Sequence, residues 1–184
     1  MANPNHISAW QQEHVYFNNL LKLLQSEVYA FHAGGRPNYE LMSDIVSYLR
    51  EYGDQVHHPR EDVAFERLLK HCPDMETALG RLGQEHRVIA QAGEALLRHI
   101  DAILNDAMVP RGELEVAAAT YLVYYGNHIA KEEEDVLTRA ALHRTPEDWE
   151  AVKRAAPGAR DPLFGNEPQQ RYRALRRQIV IEAD

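Results

Sequence analysis

Along the first part of the chain, Ile7, Trp10, Phe17, Leu21, Leu24, Val28 and Phe31 fall at alternating intervals of three and four, and His14 fills one place in the same series. That period predicts an amphipathic helix over residues 6–32 with a histidine on its buried seam. Gly34-Gly35-Arg36-Pro37-Asn38 then predicts a helix stop and turn, since glycine accepts the left-handed cap and proline cannot continue the helix. A second helix is expected over residues 39–71, with Met42, Val46, Leu49, Gly53, His57, Glu61, Ala64 and Leu68 on one face and a kink near His57 imposed by Pro59.

Cys72-Pro73-Asp74 breaks the pattern, and a third helix follows to about Leu104 with Leu79, Leu82, His86, Ile89, Gly93, Leu96, Ile100 and Ile103 as its seam. Residues 105–112, with Pro110, connect to a fourth helix over residues 113–142 that turns Leu114, Ala117, Tyr121, Tyr124 and His128 inward. Beyond it, Thr145 is positioned to cap a short helix with Pro146 at its first position, ending before Pro157-Gly158. An irregular stretch at residues 161–165 leads to a last short helix at about residues 168–181. No useful β-alternation occurs. The expected class is all-α: an up-down-up-down four-helix bundle over residues 1–143, with a C-terminal helical extension, residues 144–184, packed on it.

Composition narrows the function. The net charge of −8 argues against a nucleic-acid footprint. Arg171, Arg173, Arg176 and Arg177 have the spacing of a solvated helix face. No stretch approaches the ~20 apolar residues of a membrane span, and the N-terminus lacks a basic region followed by an apolar run. With Cys72 as the single cysteine, neither an internal disulfide nor a CxxC site can form. These features lead us to expect a soluble cytoplasmic protein without nucleic-acid or membrane partners. The unusual component is ten histidines.

His14, His57, His86 and His128 each lie on the seam of a different helix, and Glu61 and Glu132 follow two of them at an interval of four. That interval puts histidine and carboxylate on one helix face, one turn apart. Counting from the turns tests whether they share a level. From the turn near residue 36, His14 lies about 22 residues back and His57 about 21 forward. From the turn near residue 73, Glu61 lies about 12 before and His86 about 13 after; from the turn near residue 109, His86 lies about 23 before and Glu132 about 23 after. All six side chains are therefore expected in one layer of the core. Buried carboxylates and imidazoles must be paired or bind a cation. Nitrogen and carboxylate oxygen without thiolate suit iron, manganese or zinc, and two shared carboxylates favour a dinuclear centre. Ferritin-like bundles present Glu-x-x-His, whereas the order here is His-x-x-x-Glu.

These residues carry a resemblance to the hemerythrin-like proteins of the HHE cation-binding group. The matching stretches are Glu13-His14, His57-His58-Pro59-Arg60-Glu61-Asp62-Val63-Ala64-Phe65, Glu85-His86 and His128-Ile129-Ala130-Lys131-Glu132-Glu133. The resemblance implies two iron ions with an oxo or hydroxo bridge, for which zinc or manganese can substitute. It implies Glu61 and Glu132 as bridging carboxylates, His14 and His57 on one ion, His86 and His128 on the other, and an open position for a small diatomic ligand or peroxide. Glu133 is an alternative to Glu132, because the family tolerates an interval of five. Oxygen-carrying members have a further histidine one turn after the third-helix ligand, where this chain has Ala90. The second ion is thus expected to have only two histidines, which favours sensing or redox work over oxygen carriage.

The remaining candidates have outer roles. His58 with Asp62 repeats the spacing of four, but rotation by ~100° from His57 predicts a supporting or exposed position. Tyr121, Tyr124 and Tyr125 are expected to pack rather than to bind metal. His6, His32, His71, His99 and His143 fall at helix ends or outer faces. The expected function is a di-iron protein that binds O2, NO or peroxide in a sensing or stress-protective role. Rival readings are an iron-dependent redox enzyme, an iron donor for iron–sulfur cluster repair, and a metal-responsive module that acts through its C-terminal segment on a protein partner the sequence does not identify.

Overall fold

The computed structural model describes residues 4–183 and contains only helices, turns and irregular segments among them. Six helices follow one another: α1 (Pro4–His32), α2 (residues 39–71), α3 (Glu76–Leu104), α4 (residues 111–143), α5 (Pro146–Ala155) and α6 (Arg173–Ala183). Helix α1 ends as its glycines require, with Gly34 at φ +82° and its backbone N–H, like that of Gly35, returned to the last turn of the helix. Asn38 caps α2 by accepting from the Leu41 N–H at 3.0 Å. Helix α3 closes on Asp106, a non-glycine residue in the left-handed region at φ 61°. Helix α4 starts at Arg111, earlier than expected, and the Arg111 guanidinium donates to the final carbonyls of α1 at Phe31 and His32.

Two stretches of wide π-helical turn interrupt α2 and α4, at Leu49–His57 and Glu132–Val136. In α2 the wide turn takes the place of the expected kink. A proline ring at position 59 clashes with the carbonyl four residues back in a regular helix. Widening the turn displaces that carbonyl, the His58 N–H reaches back to Gly53, and the Arg60 side chain donates to the Val56 carbonyl at 3.0 Å. π-bulges of this kind concentrate at functional sites.

The four long helices bury the expected seams, with Val28, Phe31 and Ile103 only partly covered near helix ends and with one shift. In α4, Ala118 and Tyr125 are buried in place of Ala117 and Tyr124, and Tyr124 is 43% exposed. From Leu114, stepping by four and then three fits the helical period as well as stepping by three and then four, and the structure takes the first. Helix α5 begins with the capping box of Thr145 and Asp148 and packs against the end of α2, with Trp149 5.3 Å from Trp10. The segment before α6 is anchored as well. Leu163 is buried, Phe164 stacks on Tyr16 at 3.9 Å, and Asp161 accepts from the Tyr48 hydroxyl. Two of the C-terminal arginines are engaged rather than only solvated: Arg171 pairs with Glu51, and Arg176 donates to the Leu163 and Gly165 carbonyls.

Gly93 of α3 faces Tyr121 so closely that a Cβ there would lie 2.9 Å from the Tyr121 ring and 3.3 Å from Arg50 Cγ. Gly93→Ala is expected to lower unfolding stability by about 1–2 kcal/mol in urea titrations, because overpacking outweighs the better helix propensity of alanine. A variant as stable as the parent refutes this close α3–α4 contact.

Candidate metal centre

Helix α1 contributes His14 to a polar layer in the core, α2 contributes His57, His58 and Glu61, α3 His86, and α4 His128 and Glu132. None of the seven is more than 5% exposed. Glu61 directs Oε1 towards His57 Nε2 at 2.9 Å and His14 Nε2 at 3.4 Å, and Oε2 towards His86 Nε2 at 3.5 Å. Glu132 mirrors it, with Oε1 3.2 Å from His128 Nε2 and 3.7 Å from His86 Nε2, and Oε2 3.5 Å from His14 Nε2. Each carboxylate therefore spans two sets of imidazoles. The donor atoms form two compact groups, His14, His57 and Glu61 in one and His58, Glu61, His86 and His128 in the other, each with its atoms within 4.8 Å of one another.

All six residues singled out by spacing are in this layer. The seventh, His58, is a correction. Expected in a supporting or exposed position, it is 3% exposed and stacked on His86 with ring centroids 4.2 Å apart. Two physical features account for this. The buried stripe of a core helix is at least ~100° wide, so neighbouring residues can both face inward, and the wide turn that ends at His57 separates successive residues by a smaller angle than a regular turn does. With His58 present, the group containing His86 and His128 has three imidazoles, which removes the deficit inferred from Ala90.

An outer ring of carboxylates faces the Nδ1 atoms. His14 Nδ1 meets Glu133 at 2.7 Å, His57 Nδ1 meets Glu13 at 2.5 Å, His86 Nδ1 meets Asp62 at 2.8 Å and His128 Nδ1 meets Glu85 at 3.3 Å. His58 Nδ1 faces Asp54 more loosely, at 3.4 Å. The ring is itself held, since Glu13 accepts from the Tyr52 hydroxyl and Arg60, and Glu85 from Lys131 and Arg81. Such carboxylate–imidazole pairs fix the ring orientation of metal-binding histidines. Glu133 therefore orients His14 from outside the layer, while Glu132 points into it. Glu13, Glu85 and Asp62 serve histidines on other helices, and a sequence gives no distance between helices from which to read such pairs.

Burial works against charging these imidazoles, yet the surrounding carboxylates outweigh it. His14, facing Glu133 and Glu61, is pushed up to about 10, and His86, facing Asp62, Glu132 and Glu61, to about 11. His57 is raised in the same way by Glu61 and Glu13 despite burial. His58 goes the other way, held well below the usual range by burial and by the neighbouring His86. The layer thus favours positive charge at its centre. Both oxygens of Glu61, both of Glu132, and Nε2 of His86 and His128 are buried without a well-formed hydrogen bond. These orphaned donors converge, and their chemistry fits cations such as iron, manganese or zinc.

Aromatic rings enclose the layer: Phe17 lies 5.0 Å from His57, Phe65 5.8 Å from His86 and Tyr125 5.6 Å from His58. Among the outer histidines, His32, His71 and His143 are exposed and His99 half-buried, and the side chain of His6 lies outside the described residues. His71 nonetheless has a partner in Asp148 at 2.8 Å.

No curated protein and no solved structure matches the chain significantly. A family model, the hemerythrin HHE cation binding domain, matches residues 5–140. Because that span takes in the whole buried layer and most of the chain, the protein belongs to the hemerythrin HHE cation-binding domain family.

Proposed function

We propose that this protein is a non-haem di-iron protein that binds O2, NO or peroxide in a sensing or stress-protective role, in a cytoplasmic setting that suits its single thiol. The observation that carries the reading is the double contact of Glu61 and Glu132 with two separate sets of imidazoles. His14 and His57 would hold one ion, and His58, His86 and His128 the other. Glu61 and Glu132 would bridge them together with an oxo or hydroxo group. Reverse-order contacts between neighbouring helices support an up-down-up-down bundle: Gln11 of α1 reaches Glu133 near the end of α4, while Arg111 at the start of α4 reaches the end of α1.

When bound, iron supplies redox chemistry and an open coordination position. The chain supplies the rest. The carboxylate ring keeps four of the five imidazoles aimed, the aromatic rings limit water, and the two-histidine half has fewer protein donors and so is the half with room for an exogenous ligand. A sensing role is supported by the edge-to-face contact of Trp149 in α5 with Trp10, whose ring lies 6.2 Å from His57. These ring contacts run from α5 to the two-histidine half, which also supports the reading of a metal-responsive interaction module.

Elemental analysis of anaerobically purified protein is expected to find close to two metal equivalents in the parent and a large loss in His57→Ala and Glu61→Ala. Equal content in parent and variants refutes the centre. His58→Ala is expected to lose mainly one equivalent, whereas full retention returns His58 to a packing role. The chain's two tryptophans, Trp10 and Trp149, meet edge to face beside the site. Metal loading should therefore change intrinsic fluorescence, and an emission spectrum indifferent to metal sinks the coupling to α5.

A further inference from the structure

Three of the buried tyrosines lie in ring contact in series. Tyr52 and Tyr48 of α2 stack with centroids 5.9 Å apart, and Tyr48 meets Tyr172 of the C-terminal extension edge to face at 5.7 Å. The inner end reaches the histidine layer by two routes. Phe17 lies 6.4 Å from Tyr52 and 5.0 Å from His57, and Glu13 accepts from the Tyr52 hydroxyl at 2.9 Å while facing His57 Nδ1. The outer end reaches solvent, because the Tyr172 hydroxyl donates to Glu51, whose side chain is 40% exposed.

Every ring in the series has its own proton acceptor: Tyr52 has Glu13, Tyr48 has Asp161 at 3.0 Å, and Tyr172 has Glu51 at 2.6 Å. That pairing decides what these phenols can do. A phenol that loses an electron becomes a strong acid, so in a buried site the electron leaves readily only where the proton can leave with it. Burial, reinforced by the neighbouring carboxylates, holds Tyr48 and Tyr172 well above the usual phenol range, so both stay protonated until that moment. Tyr121 and Tyr125 are equally buried, yet their hydroxyls have no hydrogen-bond partner. An electron taken from either would leave an uncompensated positive charge in the core. Asp161 and Tyr172 lie beyond residue 140, where the match to the family model ends, so the outer half of the series is built by the extension.

We propose that Tyr52, Tyr48 and Tyr172 form a one-electron relay that carries oxidising equivalents from the two-histidine half of the centre to the surface at Glu51, where a small hydrogen-atom donor of the ascorbate class quenches them. The assignment rests on the peroxide-binding reading above. Reduction of one hydrogen peroxide to two waters breaks the O–O bond and takes up two electrons and two protons. Reduced iron supplies those electrons, and iron already oxidised leaves them to be drawn from the chain. Each electron that leaves Tyr52 breaks its O–H bond, and the proton passes to Glu13. Tyr48 then refills Tyr52 and gives its own proton to Asp161, while Glu13 returns the first. Tyr172 refills Tyr48 in the same way, with Glu51 as acceptor. The donor at the surface gives its electron to Tyr172 and its proton to solvent, and Glu51 returns the phenol proton. Two passes consume one peroxide and two hydrogen atoms from the donor, and solvent supplies the two protons that the waters require.

The test uses the full-length, iron-loaded chain, oxidised beforehand and then given hydrogen peroxide, as parent, Tyr48→Phe, Tyr172→Phe and Tyr121→Phe. These substitutions keep the ring and its packing but remove the oxidisable O–H. Metal content is measured in each, tyrosyl radical by freeze-quench electron paramagnetic resonance, and radical decay with ascorbate by stopped flow. Parental metal content is expected throughout, with a tyrosyl radical in the parent. Decay with ascorbate should be about tenfold slower or more in Tyr48→Phe and Tyr172→Phe and unchanged in Tyr121→Phe. No tyrosyl radical in an iron-replete parent, or the same decay in every variant, overturns the relay while leaving the metal centre standing. Should Tyr48→Phe fail to fold, unchanged decay in Tyr172→Phe overturns it equally. A parent that binds no iron refutes the earlier reading, and the relay, left without its oxidant, falls with it.

Discussion

Two carboxylates in the middle of an apolar core, Glu61 and Glu132, make a demand that the rest of the bundle is arranged to meet. Each is 1% exposed, and neither has a water-facing side from which to draw compensation. Their charge must be answered from within, by imidazoles that carry protons or by cations that replace those protons. The layer they define divides the core in two. On one side lies a large cluster from Phe17 through Tyr48, Leu96 and Tyr121; on the other lies a smaller one built from Ile7, Trp10, Leu68, Leu79 and Val136. The apolar clusters supply the drive to fold, and the layer between them sets which residues have to be opposite one another.

The outer carboxylates extend the same logic by one more shell. Alternation of charge runs outward from Glu61 through His57 to Glu13, and from Glu13 to Arg60, with the buried Tyr52 hydroxyl donating to Glu13 as well. A similar chain runs from Glu132 through His128 to Glu85 and on to Lys131 and Arg81. The steps from His57 to Glu13 and from His128 to Glu85 each tie two helices together, so the orientation of an imidazole at the centre depends on groups on a neighbouring helix that are held in turn by Arg60 and Lys131. A change at the rim, at Arg60 or Lys131, therefore acts on the centre through geometry.

Much of this was legible in the amino-acid sequence because helices convert spacing into direction. The level of His14, His57, Glu61, His86, His128 and Glu132 followed from distances to the turns, and those turns were marked by Gly34, Pro73 and Pro110. What escaped was whatever depends on departures from a regular helix or on pairing between helices. His58 was assigned outward on the assumption of a uniform 100° step, and the wide turn ahead of it breaks that assumption. Tyr125 and Tyr124 exchanged places because two three-and-four series fit α4 equally well from Leu114. Asp62 was matched with His58 on its own helix, yet it meets His86 on the next. The capping pair of Thr145 and Asp148, by contrast, is local chemistry, and its start was read correctly from Thr145 and Pro146 alone.

The wide turns in α2 and α4 bear on how the chain can change in length. In a regular helix, losing one residue rotates everything beyond it by about 100°, which in this bundle would swing a donor out of the layer and an apolar side chain into it. A π-helical turn already contains surplus backbone. Removing one residue there lets the turn tighten to ordinary pitch while the flanking segments keep their facing. Both wide turns adjoin a His-x-x-x-Glu pair, one ending at His57 and the other beginning at Glu132. The slack in these helices is thus stored beside the donors whose aim is least tolerant of rotation.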